Sequence, residues 1–206
     1  MLTPTLPGWN ATPRPDSMTA IGDYAQAYLD HLTRLGLADV VAIGSSLGGW
    51  IAREMAVRDR GGVLGGIVIV DGAGIIVEDE PIADFFSLTP RGVAEHAWHD
   101  PDRYFVDPST VPPEQAAIQQ ANMKTMASVA RDLNAPQLRG RLGAVTIPVL
   151  AIWGDSDRIF TPGYGRAYAE SFADGRFALV ADAGHLPQLE QPPATLALID
   201  EFLQAR

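Results

Sequence analysis

The chain has 206 residues, 47% of them hydrophobic and 19% charged, an ordinary composition for one globular domain, or one domain with an insertion, and ample length for a core. Its formal net charge of −10 argues against nucleic acid or an anionic membrane as partner, since both need clustered Lys and Arg, and is read as a solvated acidic surface. It has no cysteine, which excludes disulfides, thiol catalysis and Cys-ligated zinc. No run reaches transmembrane length, and Pro4, Pro7 and Gly8 interrupt the start where a signal peptide would be apolar. The expected compartment is therefore the cytoplasm, with no membrane partner.

In chain order, residues 1–15 are dense in proline and glycine and read as a loop. Ile21, Ala25, Tyr28, Leu29, Leu32 and Leu35 recur at helical spacing, predicting a helix from about Thr19 to Leu35 that Gly36 stops. Asp39 to Ile43 reads as a strand feeding Gly44-Ser45-Ser46-Leu47-Gly48, behind which Leu47, Ile51 and Met55 mark a helix through Arg58. Ile67-Val68-Ile69-Val70 is a continuous apolar run of the kind found in strands buried on both faces.

From Asp71 to about Val145 the character changes and no strong strand candidate occurs. Thr89-Pro90 is a helix start, with threonine as cap and proline at the first helical position, and Pro113 to Leu133 reads as a longer helix. Strands resume at Pro148 to Trp153 and at Phe177 to Val180, with a helix from Pro162 to Phe172 between them. Pro193 opens a terminal helix expected to turn Leu196, Ile199, Phe202 and Leu203 inward. Strand–helix–strand spacing implies a parallel sheet, whose functional groups gather at the carboxyl ends of the strands.

Three such ends carry chemistry. Strand, tight turn and helix around Ser46 form a nucleophile elbow, in which Gly44 and Gly48 flank a strained serine and allow strand and helix to pack closely. The amide of Leu47 would face an oxyanion. Serine needs a base to take its proton and a third group to orient that base. Of the four histidines, His31 falls in the first helix and His96 and His99 in the strandless section; His185 alone lies in a loop just past a sheet strand. Asp157 follows the strand ending at Trp153, with Asp155 as a close rival and Asp71 a more distant one. A metal site on His96, His99, Asp100 and Asp102 is disfavoured by Pro101, which breaks the helix such spacing needs.

These residues together resemble the α/β-hydrolase superfamily in its form with a helical cap. The matching stretches are Gly44-Ser45-Ser46-Leu47-Gly48-Gly49, Trp153-Gly154-Asp155-Ser156-Asp157 with Pro162 beyond, and Ala183-Gly184-His185 with Glu190 and Pro192 following. Leu6-Pro7-Gly8-Trp9 is similar to the loop after the family's fourth strand. The resemblance implies a mostly parallel α/β sheet, with residues 1–71 and 146–206 as core and 72–145 as a helical cap. It also favours Asp157 over Asp155, because the family's acid is the second aspartate of such a turn.

Members of the family carry three further strands and a His-Gly type loop that supplies a second oxyanion amide, and nothing here matches them. The expectation is an amino-terminally shortened α/β fold in which Val40 to Ile43 is an exposed edge and Leu47 the remaining oxyanion donor.

The resemblance implies a serine hydrolase acting on a carboxylic ester or related acyl bond, with Ser46, His185 and Asp157 as the triad, an apolar small-molecule acyl substrate and no cofactor or metal. Carbon–carbon bond hydrolases and cofactor-free perhydrolases share the serine pattern. Trp50 and Trp98 are candidate substrate contacts, with ordinary packing as their alternative. A rival of another class is a hydrolase-like binding module with an incomplete site. An unpaired elbow strand could also join a second copy, making a homodimer possible.

Overall fold

Four short runs of β-branched and small apolar residues form one parallel sheet, β1 (Val40–Ser45), β2 (Leu64–Val70), β3 (Val149–Gly154) and β4 (Gly175–Val180), ordered β1-β2-β3-β4. The structure, a computed structural model, describes residues 1–130 and 139–206, the side chain of Arg139 excepted. The helices are α1 (Ile21–Arg34), α2 (Leu47–Arg58), α3 (Pro90–Ala97), α4 (Pro101–Tyr104), α5 (Pro113–Val129), α6 (Arg139–Leu142), α7 (Pro162–Glu170), α8 (Pro187–Glu190) and α9 (Pro192–Gln204).

Strands laid down in sequence order with right-handed crossovers put their connecting helices on one face of the sheet. Accordingly α2 and α7 lie on the same side, with α1 packed on α2. Ile67, Ile69, Val149, Ala151 and Trp153 point to that face, among Ile51 and Met55 of α2 and Tyr164 and Tyr168 of α7. Their alternates Val68, Val70, Leu150 and Ile152 point to the other face, under Phe202 of α9. β2 and β3 are therefore buried on both sides, as their unbroken apolar runs predict.

The helical boundaries follow local chemistry. Thr89 caps α3 by accepting from the Gly92 amide at 3.1 Å, and Thr161 caps α7 by accepting from Tyr164 at 3.2 Å. Among the described residues no strand lies between β2 and β3; α3 to α6 and two 3-10 turns fill that connection. The carboxyl end of the predicted helix, 131–133, lies outside the described residues. The amino-terminal loop leans on α5, through Asn10 N–H to Asn122 Oδ1 at 2.9 Å and Thr125 Oγ to the Gly8 carbonyl at 3.1 Å. Among the described residues no helix is long and apolar enough to cross a membrane.

Two helical faces differ from expectation. In α1 the buried set is Ile21, Tyr24, Ala25, Leu29 and Leu32, whereas Leu35 lies past the last turn and is exposed. In α9 Thr195 and Phe202 face inward, while Leu196 and Leu203 are exposed, because the narrow sheet offers cover to only one stripe of the helix. Among the described residues β1 pairs with β2 alone, so the elbow strand is an edge as anticipated, and Ile43 is half exposed there.

Candidate active site

Parallel pairing brings Ser45, Val70 and Ile152 into one row, so the loops after β1, β2 and β3 leave the sheet side by side. Ser46 sits in the first of these with φ 53° and ψ −114°, a conformation costly for a residue with a side chain, and α2 starts at the next residue. It is pinned there: its amide donates to the Val70 carbonyl at 2.9 Å, and its carbonyl accepts from Ala73 and Trp50, each at 3.2 Å. The Leu47 amide is at the first position of α2, where a helix leaves its N–H groups without intrahelical partners.

Gly44 is required by close approach, since a Cβ there would meet the Gly48 carbonyl oxygen at 2.1 Å. The same expectation fails at Gly48, where an added Cβ meets nothing within 4 Å. The tight position is Gly49, whose Cβ would lie 2.9 Å from Gly72 Cα, because the third residue of α2 is the one that faces the loop after β2.

His185 reaches Ser46 from the loop after β4. Its Nδ1 lies 2.9 Å from Asp157 Oδ2 and its Nε2 2.9 Å from Ser46 Oγ. With Asp157 ionised, Nδ1 carries the proton and donates to the carboxylate, and Nε2 accepts the serine hydroxyl. Asp157 Oδ1 accepts from the Ile159 and Phe160 amides at 2.8 and 3.2 Å, so three donors converge on this buried carboxylate. Ring packing by Phe160, centroid 5.5 Å from the imidazole, covers the histidine.

The loops that carry Asp157 and His185 meet because Gly154 has no side chain: a Cβ there would lie 2.0 Å from the Gly184 carbonyl oxygen and 2.4 Å from that of Ala183. Asp155 turns away, accepting from Ser156 Oγ at 2.8 Å and the Ala183 amide at 3.4 Å. Asp71 approaches from β2. Its Oδ1 accepts from the Gly154 amide at 3.0 Å, while Oδ2 is buried with no partner among the described residues. Burial, and then the charge of Asp157, push its carboxyl well above the usual range. Asp71, Asp157 and His185 could offer a cation one ligand atom each within 4.8 Å of one another, but Asp157 and His185 already serve each other and the two amides.

The other histidines are engaged elsewhere or exposed. His31 is exposed on α1, His96 Nδ1 is 2.8 Å from the Gly92 carbonyl, and His99 Nδ1 is 2.7 Å from Ser156 Oγ. Trp50 is buried one turn after Ser46, against Gly74 and with the Arg53 guanidinium 5.9 Å from its ring centre. Trp98 is half-buried and stacks on Tyr104 at 4.6 Å, its main chain beside Gly184. Sequence reasoning missed Gln188, whose Nε2 donates to Ser45 Oγ at 3.2 Å and whose Oε1 is buried without a partner among the described residues. Its nearness to His185 in the chain was the available signal.

Against known proteins, residues 1–198 match the family model described as the alpha/beta hydrolase family. A curated relative, 3-oxoadipate enol-lactonase 1 of Acinetobacter baylyi, is 23% identical over 193 residues, 91% of this chain and 72% of that protein. A thermophilic esterase from Thermogutta terrifontis superposes with a TM-score of 0.71 at 24% identity, over 97% of this chain and 78% of the other. Est816, described as an N-acyl homoserine lactone degrading enzyme, gives 0.69 at 21% identity, over 95% and 80%. At such identities the likeness to solved structures is one of fold, while the family match extends over almost every element described above. The chain belongs to the α/β-hydrolase family.

Proposed function

We propose that this protein is a serine hydrolase that cleaves a carboxylic ester or a related acyl bond, cyclic esters included. The observation that carries this reading is the hydrogen-bonded series from Asp157 through His185 to Ser46, 2.9 Å at each step, on a strained elbow. Ser46 Oγ attacks the acyl carbonyl while His185 Nε2 takes its proton. The oxyanion that forms is met by the Leu47 amide at the positive end of α2. His185 then protonates the departing alcohol, leaving an acyl group on Ser46. Water, activated by the same imidazole, releases the acid. Asp157 keeps the proton on Nδ1 and balances the imidazolium. This chemistry calls on no group besides the chain and water.

Residues 72–145 are read as a cap over the carboxyl ends of the strands, with Trp98 a contact for an apolar acyl group. The lactonase and esterase named above support an ester or lactone as the first substrates to assay.

Fluorophosphonate labelling of the chain, with Ser46→Ala as control and mass spectrometry to locate the adduct, tests the reading. An adduct on Ser46 that is lost in the alanine variant is expected. A folded chain that takes no adduct would favour a hydrolase-like module that binds without turnover.

A further inference from the structure

The base loop is fastened to the segment between β2 and β3 by a side chain outside the Ser46–His185–Asp157 series. Glu190, the last residue of α8, is partly buried and directs its carboxylate at backbone amides from two separate regions. Oε2 accepts from the Gly184 amide at 2.6 Å. Oε1 accepts from the His99 amide at 3.0 Å and from Asp100 at 3.3 Å, and His99 also lies 3.3 Å from Oε2. One residue after Gly184, the His185 amide donates to the Ala97 carbonyl at 2.7 Å. The main chain of the base and of the residue before it is therefore bound to the 97–100 stretch at the end of α3, once directly and once through Glu190.

We propose that Glu190 is a positioning residue, whose carboxylate clamps the His185 loop to the 97–100 stretch and thereby holds the imidazole on Ser46. The proposal rests on the reading of His185 as the base. A carboxylate suits the task because it only accepts, has two oxygens, and here meets amides arriving from two directions. Glutamine keeps one acceptor and turns an NH₂ toward an amide, so it can hold one side of the clamp. Alanine holds neither side, and leaves the Gly184, His99 and Asp100 amides to find water. The loop then keeps the Ala97 bond but loses its second anchor, and the 2.9 Å contact between Nε2 and Ser46 Oγ is no longer enforced. A displacement of about 1 Å at such a contact costs on the order of 10²-fold in rate.

The test compares the wild-type chain with Glu190→Ala and Glu190→Gln. Three quantities are read: amide hydrogen exchange at Gly184, His99 and Asp100, the downfield proton resonance of His185 Nδ1, and the rate of fluorophosphonate labelling. In Glu190→Ala the three amides lose protection, the His185 resonance broadens, and labelling slows by roughly 10- to 100-fold. Glu190→Gln falls between the two. A His185 resonance and labelling rate unchanged in Glu190→Ala, with the amides deprotected, would overturn the proposal and leave Glu190 a local staple. Should the alanine variant not fold, the glutamine variant decides by the same signals: a partial loss supports the clamp and wild-type behaviour refutes it. If the wild type itself takes no label, the hydrolase reading falls, but resonance and exchange still decide whether Glu190 positions His185.

Discussion

Asp71 and Asp157 stand side by side at the ends of β2 and β3, with carboxylate oxygens within 4.8 Å and both side chains buried. Three donors converge on Asp157, whereas Asp71 receives the Gly154 amide on one oxygen and has no partner for the other among the described residues. Two buried carboxylates so close share one proton, and the oxygen without a donor is where it belongs. A protonated Asp71 has a hydroxyl to offer Asp157.

This arrangement sets a pH dependence. Burial first, and then the charge of Asp157, raise the Asp71 pKa in the folded state. The folded chain then holds a proton that the unfolded chain releases above about pH 4. Its contribution is fully present below that value, and stability falls as pH rises toward the raised folded value. Asp71→Asn mimics the protonated acid and should flatten the decline. Urea midpoints measured at several pH values above 4 would show it, and equal slopes in both proteins would contradict the assignment.

The elbow glycines are unequal. Gly44→Ala would drive a Cβ to 2.1 Å from the Gly48 carbonyl oxygen, a backbone contact that only moving the strand or the helix can relieve. A loss of about 1–3 kcal/mol, with labelling of Ser46 abolished, is expected. Gly48 faces open space near the start of α2, so Gly48→Ala should leave the fold intact and add about 0.5–1 kcal/mol. Thermal unfolding of the two variants separates them.

Much of this architecture is legible in the sequence because local patterning and burial agree. β2 and β3 announce themselves as unbroken apolar runs, Gly44 and Gly154 mark close approaches of the backbone, and Pro162 marks the start of α7. His185 stands out because it alone of the four histidines closely follows a sheet strand along the chain. The rest was hidden because it depends on contacts distant in sequence. Asp71 lies 86 positions before Asp157. Glu190 acts on amides of residues 99 and 100. The inward stripe of α9 is decided by where a four-stranded sheet ends, so Leu196 and Leu203 satisfy helical periodicity and still face solvent. Arg53 and Glu54 are the clearest case, since two charged neighbours on a helix would be assigned to its solvent side.

The Ser46 backbone carries a measurable strain. Ser46 keeps φ 53° and ψ −114° because the Val70 and Ala73 bonds over-determine it. Such a conformation costs a residue with a Cβ about 1–3 kcal/mol, and glycine far less. Ser46→Gly should therefore be inactive yet more stable than Ser46→Ala by about 1 kcal/mol or more. Urea unfolding of the two inactive variants isolates the backbone term, because both lack the hydroxyl. Equal midpoints would mean that the elbow is relaxed.

Arg53 and Glu54 are buried in the middle of α2, 0% and 2% exposed, with Arg53 Nη2 2.8 Å from Glu54 Oε1. Successive helical residues do not normally face each other, and here the two long side chains bend together. The same carboxylate takes Arg58 from the following turn, and Arg58 is partly open to water. Among the described residues the Arg53 nitrogens make no aligned hydrogen bond, and burial lowers the guanidinium pKa. Breaking such a pair from one side leaves a bare charge in the core, which costs about 3–5 kcal/mol, whereas removing both charges costs much less. Glu54→Gln should therefore lose several kcal/mol in urea unfolding, and adding Arg53→Met should restore most of it, since methionine fills the channel of the arginine stem and Arg58 can turn to solvent. Losses that simply add would mean that Glu54 serves Arg58 rather than Arg53, and that the buried guanidinium is held by the Trp50 ring 5.9 Å away.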